Sequence, residues 1–199
     1  MIPLQEMDQL VQAHLDGYRL DHSYAVAREA QRLAKRYGAD PEKAYYAGLC
    51  HDICKKMSND EQLQWIKRSA IMQDDAFFRQ PPIWHGFAAA SYLQLQAGET
   101  DEDILNAVRY HTTGRAGMSL LEKIVFTADL TEESRDYPDV NTVRALADLS
   151  LDQTVLYILR YQLGRLLVGS YPICRDCIEA YNWLLAQETE KSQKKELSK

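Results

Sequence analysis

Apolar residues recur at helical spacing through almost the whole chain, and nearly every such stretch is bracketed by residues that start or stop helices. Alternating β-branched strands joined by hairpin turns are hard to find. A chain patterned this way can build a core only by packing helix faces together, so an all-α fold is expected. The pattern places helices over 3–15, 21–37, 41–53, 58–68, 84–97, 100–111, 119–131, 141–148, 151–168 and 173–187. Their punctuation is specific. Gly38 and Gly98 read as stops, Asp40 with Pro41 as a cap and first-turn proline, Ser58 with Glu61 as a capping box, and Thr100 as a cap. "QDDAFFRQPP", "TTGRAGM" and "RDYPDVN" read as breaks or loops, and no internal repeat is visible.

The chain has 199 residues of which 46% are hydrophobic, enough for one substantial core. One domain is therefore expected over 1–187, with 188–199 a charged, frayed tail. The formal charge of −6 supplies no overall positive field, which argues against nucleic acid as a partner. A phosphorylated ligand would need a local device instead: a metal, a helix N-terminus, or a few placed cations. No apolar run approaches the ~20 residues of a membrane span, and the opening "MIPLQEMDQLVQAHL" is unlike a signal peptide, so a cytoplasmic protein is expected. The four cysteines fall as Cys50 with Cys54 and Cys174 with Cys177. Small buried hydrophobes are the plain reading. A redox pair or half of a zinc site is the sharper reading of "CRDC", but no βαβ pattern surrounds it.

Four of the five histidines, His22, His51, His85 and His111, each fall on a different predicted helix or at its end. From His22 the helix runs on for about 22 Å, and from Pro41 the next returns about 15 Å to His51. A short αα-hairpin therefore brings His22 and the His51–Asp52 doublet to one end. A second hairpin goes out about 18 Å from His85 and returns about 15 Å to His111. Asp129, on an otherwise apolar helix, can reach the same layer because loop 112–118 spans up to about 25 Å, though nothing in the spacing compels it.

Singly, each of these residues reads as a hydrogen-bonded core histidine or a capping aspartate. Together they are harder to dismiss, since each unsatisfied buried group costs about 1–3 kcal/mol. A metal would satisfy them jointly. Imidazole and carboxylate without thiolate suit Fe, Mn, Co or Zn better than Mg or Ca. Consecutive helical positions diverge by about 100°, so Asp52 could bridge two ions while His51 binds one. Such a pair would lower the pKa of a bridging water.

The blocks "HSYAVAREAQRLAKRYG", "KAYYAGLCHDICK", "WHGFAAA", "YHTTGRAGMSLLEKIVFTADLTEESRDYP" and "YPICRDCIEAYNWLL" resemble the HD superfamily of metal-dependent phosphohydrolases, and within it the YqeK family. The likeness runs over most of positions 18–187. It implies an HD-type helical domain over 1–187 that cuts diadenosine tetraphosphate and related dinucleoside polyphosphates symmetrically to two ADP, with iron at the site. It implies that His22, His51, Asp52 and Asp129 hold the tighter metal. Asp52, His85 and His111 would serve catalysis and any second ion. The implied nucleotide contacts are His22, Asp52, Lys56, His85, Gly86, Phe87, Ala88, His111, Arg115, Arg135, Tyr171 and Arg175, for a dinucleotide, ADP or GDP. Glu133 stands where the family form has proline, which changes the helix exit before Arg135.

The cations required by an acidic chain are present: Lys55 and Lys56 beside the doublet, Arg115 beside His111, Arg135 beyond Asp129, and Arg175 at a helix start. Trp84, Phe87 and Tyr171 could line a base, although aromatics at helical spacing are more often core. The expected reaction is in-line attack by metal-activated hydroxide on a β-phosphorus with ADP leaving, with no P-loop and no serine or cysteine nucleophile. Two readings compete: a different HD phosphohydrolase acting on mononucleotides or cyclic nucleotides, and a non-catalytic ADP or GDP sensor. The oligomeric state stays open, a homodimer included.

Overall fold

Six helices among the described residues of this protein begin where a side chain accepts the free amides of the first turn. The computed structural model describes residues 1–69 and 72–197. Among them are eleven α-helices, a short 3-10 turn and no strand. The helices are α1 (Leu4–His14), α2 (Gly17–Tyr37), α3 (Pro41–Cys50), α4 (Asn59–Arg68), α5 (Asp75–Phe78), α6 (Trp84–Leu95), α7 (Glu102–Arg109), α8 (Leu120–Thr131), α9 (Val140–Leu149), α10 (Leu151–Val168) and α11 (Arg175–Leu197). Asp40 caps α3 with Pro41 in its first turn, and Ser58–Glu61 and Ser119–Glu122 form reciprocal capping boxes on α4 and α8. No helix among the described residues is long and apolar enough to cross a membrane.

Several boundaries differ from the sequence reading, among them the start of α2 at Gly17 instead of residue 21. α3 stops at Cys50, and 51–57 continues in tight turns, with Ile53, Lys55 and Met57 each donating to the carbonyl three residues back. α6 ends at Leu95, ahead of Gly98. Asp101, not Thr100, caps α7, because its carboxylate reaches the amides of Asp103 and Ile104. The break at "QDDAFFRQPP" contains α5, capped by Asp74, and a 3-10 turn over Pro81–Ile83. The tail expected to fray from residue 188 is helical to Leu197. Lys191 there bridges Glu188 and Asp152, and Gln153 holds Glu188, so α10 gives the extension a surface to lie on.

The main core joins α2, α3, α6, α7 and α8 through residues such as Val26, Leu33, Leu49, Ile104 and Ile124, all fully buried. A smaller cluster around Phe126, Val155, Leu159 and Leu184 knits α8, α10 and α11. α2 with α3 and α6 with α7 form the two hairpins, and α8 packs on α2 and α7 between them. Each hairpin has a glycine near its histidine end where the helices approach closely. A Cβ on Gly48 would lie 2.9 Å from the Cα of Ala27, and one on Gly86 would lie 2.9 Å from the Arg109 carbonyl oxygen and 3.1 Å from the His111 ring. Neither set of backbone atoms can move aside cheaply. Gly48→Ala is expected to destabilise the fold by about 1–3 kcal/mol through overpacking, despite alanine's better helix propensity. Urea unfolding measures this, and an unchanged midpoint would show that the helices do not meet this tightly.

Candidate metal centre

α3 and α7 end in the same way, with a histidine just past the last turn. His51 Nδ1 donates to the Gly48 carbonyl at 2.7 Å, and His111 Nδ1 donates to the Val108 carbonyl at 2.7 Å. Each bond satisfies a terminal helix carbonyl and places the proton on Nδ1, so the lone pair is on Nε2; that of His51 has no partner, while that of His111 faces His85 Nε2 at 3.0 Å. The two hairpins bring these rings together. His51 and His111 are 4.9 Å apart between centroids, His111 and His85 4.9 Å, and His51 and His22 5.3 Å. All four imidazoles are buried, and Asp52 is buried among them.

The two oxygens of Asp52 face different groups. Oδ1 lies 3.0 Å from His85 Nε2 and 3.6 Å from His111 Nε2, while Oδ2 lies 3.8 Å from His51 Nε2 and 3.5 Å from Arg19. Asp129 arrives on α8, with Oδ1 3.0 Å from His22 Nε2 and 3.8 Å from His51 Nε2. Two sets of donors are each close enough to hold one ion: His22, His51 and Asp129, and His51, Asp52 and His111. Asp52 belongs to the second set and lies beside the first. It stands past the end of α3 in the tight turns, so the divergence of consecutive helical positions does not set its direction.

Charges in the cluster follow from burial and neighbours. Burial pushes His51 and His85 down to about 4, so both are neutral donors at ordinary pH. Burial also opposes the charged form of His22, but Asp129 outweighs it and raises the pKa. Asp52 and Asp129 would rise on burial alone; the imidazoles around Asp52, and His22, His51 and Arg135 around Asp129, hold both well below the usual carboxylate range. Two acceptors remain unsatisfied: His51 Nε2 and Asp52 Oδ1 are buried without a hydrogen-bond partner. A cation among these donors would satisfy both, and the hard–borderline imidazole and carboxylate set fits a divalent metal.

The remaining sequence-predicted contacts separate. Arg135 reaches the centre, holding Asp129 Oδ1 at 2.5 Å and its carbonyl at 2.6 Å, with His22 Nε2 3.4 Å away. Arg115 instead directs Nε and Nη2 at the buried carboxylate of Glu122 and lies over the Tyr110 ring. Lys56 is exposed and pairs with Asp16 outside the cluster. Phe87 packs edge-on against Phe77 and Tyr110, and Ala88 is fully buried, so both are core residues with no surface to offer a nucleotide. Gly86 serves the close crossing of α6 and α7. Trp84 is likewise buried, its indole N–H donating to the Phe77 carbonyl. Tyr171 and Arg175 are exposed, and the Arg175 amide at the start of α11 already donates to Asp74.

Arg19 and Glu132 were not picked out from the sequence, and Lys55 was named there among the cations beside the doublet but not among the nucleotide contacts. Lys55, rather than Lys56, enters the site: Nζ lies 3.0 Å from His85 Nε2 and 3.7 Å from Asp52 Oδ1, and burial lowers its pKa. Arg19 precedes His22 by three residues and so shares its helix face. Glu132 follows Asp129 by three and is completely buried. It accepts from His22 Nδ1 at 3.1 Å and from the Ser134 amide and hydroxyl at 2.6 and 2.7 Å. The three-residue spacing was a usable signal in both cases.

The HD domain family matches residues 19–134. A curated relative from Bacillus subtilis, named bis(5′-nucleosyl)-tetraphosphatase, symmetrical, is 38% identical over 88% of this chain and 94% of its own. A protein of the same name from Halalkalibacterium halodurans is 39% identical over 90% of this chain and 96% of its own. A crystal structure from Clostridium acetobutylicum, described as a predicted HD superfamily hydrolase involved in NAD metabolism, superposes with a TM-score of 0.89 at 33% identity, covering 94% of this chain and 99% of that one. The HD domain is a hydrolase fold that binds divalent metal. Doublet, hairpins and relatives agree, and the chain belongs to the HD-domain family, in the branch whose curated members carry the symmetrical bis(5′-nucleosyl)-tetraphosphatase name.

Proposed function

We propose that this protein hydrolyses diadenosine tetraphosphate and related dinucleoside polyphosphates symmetrically, releasing two ADP. The observation that carries the reading is the pair of buried, unpartnered acceptors, His51 Nε2 and Asp52 Oδ1, set among four imidazoles in a chain whose relatives are named for that reaction. When bound, a divalent ion supplies charge that neutralises phosphate oxygens and lowers the pKa of an attacking water. His22, His51, Asp52 and Asp129 would hold it, and a second ion, if one binds, would fall to Asp52, His85 and His111. Iron is the ion that the family resemblance implies, while Mn, Co and Zn suit the same donors.

The chain's own residues do the rest. With a single ion bound, neutral His85 can take the proton of the attacking water, and Asp52, whose Oδ1 lies 3.0 Å from its Nε2, stabilises the imidazolium so formed. Lys55, Arg19 and Arg135 lie at the rim of the buried carboxylates and counter the phosphate charge that an acidic protein would otherwise repel. The water oxygen ends on one ADP and the bridging oxygen leaves with the other.

Metal analysis of the purified protein followed by product identification tests this. Two ADP from each diadenosine tetraphosphate are expected. AMP with ATP, or brisk cleavage of a mononucleotide and none of the dinucleotide, would refute it.

Glu132 positions His22 through Nδ1, leaving Nε2 toward the centre, as outer carboxylates do for metal-binding imidazoles. Glu132→Gln is therefore expected to weaken metal binding by about 10–100-fold with helicity retained. Calorimetric metal titration with circular dichroism reads both, and unchanged affinity in a folded variant would remove Glu132 from this role.

A further inference from the structure

Cys174 and Cys177 meet across the first turn of α11, a feature that the hydrolytic reading leaves unused. Their sulfurs are 3.2 Å apart, and the residues are 0% and 6% exposed. Cys174 immediately precedes Arg175, the first residue of α11, and so occupies the capping position. The two sulfurs share a hydrogen bond that either thiol can donate, and donation by Cys177 holds the Cys174 thiol below its usual range. A capping sulfur needs no second thiol. Here the second is placed against the first at the three-residue spacing that keeps both on one side of a helix. The helix N-terminus and the donated hydrogen bonds favour a thiolate at Cys174. Neither cysteine belongs to the donor groups that could hold a metal among the described residues, so a zinc site has no support there. Cys50 and Cys54 lie instead in the main core, where burial pushes both thiols up.

We propose that Cys174 and Cys177 form a dithiol–disulfide site that exchanges with low-molecular-weight disulfides such as oxidised glutathione. The Cys174 thiolate attacks one sulfur of the glutathione disulfide, whose S–S bond breaks to release one glutathione thiolate. Cys177, giving its proton to solvent, then attacks the Cys174 sulfur of the mixed disulfide and expels the second glutathione. The protein loses two electrons and two protons, and one oxidised glutathione becomes two reduced ones. Access is through the turn before α11. Ser170 there holds a positive φ of 54°, Tyr171 is exposed, and the turn is fastened by Gln80 donating to the Pro172 carbonyl and by Asp74 accepting the Arg175 amide. That turn must lift before a disulfide can approach, and uncatalysed disulfide exchange is itself a matter of minutes to hours. The new bond would then pin the segment that carries Tyr171 and Arg175.

The folded protein is incubated with graded mixtures of oxidised and reduced glutathione, then denatured with an alkylating agent and mapped by mass spectrometry. Alkylatable thiols are expected to fall from four to two. The segment holding Cys174 and Cys177 becomes lighter by two hydrogens, and reduction reverses the change. In Cys177→Ser, one glutathione is expected to stay on Cys174, since no neighbouring thiol can release it. Four alkylatable thiols after prolonged exposure, or loss of Cys50 and Cys54 instead, would overturn the proposal. If Cys177→Ser does not fold, the wild-type map decides alone.

Discussion

Asp52→Asn is expected to abolish turnover of diadenosine tetraphosphate, lowering kcat by at least ~10³-fold, while the helical spectrum is unchanged. Removing one preorganised donor from an enzyme site already costs about 10²–10³-fold. Asp52 does more than one job here, because Oδ1 faces His85 and His111 while Oδ2 faces His51 and Arg19. Asparagine keeps the volume and loses the charge, and its amide nitrogen would aim a donor at rings whose lone pairs are needed. Bound metal should fall alongside activity, which metal analysis of the same preparation shows. A variant retaining a tenth or more of parental turnover would remove Asp52 from the centre of the chemistry.

Neighbouring lysines should behave oppositely. Lys55→Ala is expected to lower kcat/KM by about 10²-fold, in the range for loss of a single charge-stabilising donor. Lys55 is mostly buried, close to His85 and Asp52. Lys56→Ala is expected to change kcat/KM by less than about twofold, because its exposed pair with Asp16 is of the kind worth roughly 0–1 kcal/mol and lies away from the cluster. Steady-state kinetics on the two variants in parallel decides the point. Equal losses in both would mean that the structure assigns the wrong lysine to the site.

That pair also shows where sequence reading stops. Two adjacent lysines after a doublet are equivalent in composition and charge, and a helix continued through residue 53 would not have separated them correctly. α3 ends at Cys50, and the tight turns that follow send Lys55 inward and Lys56 out. The same limit applies to Arg115. Its place beside His111 suggested phosphate, but Glu122, needed for the cap of α8, lies within reach and takes its guanidinium. Phe87 and Ala88 follow His85 in sequence, yet α6 is buried on nearly every side, so only His85 among these neighbours meets the cluster.

What the amino-acid order determined by itself was local and periodic: the all-α class, the caps at Asp40 and Ser58, and the hairpin lengths that return His22 to His51 and His85 to His111. These depend on rise per residue and on hydrogen bonds within a few positions, which are legible along a line. Tertiary structure decided what depends on angle and on competition between distant groups. It chose Asp129 as the fifth-helix contribution, gave Glu132 to His22 across 110 positions, turned Arg115 to Glu122, and extended α11 over α10. The reason is that a buried polar side chain takes whichever partner packing brings within about 3 Å, and that choice involves parts of the chain no local pattern compares.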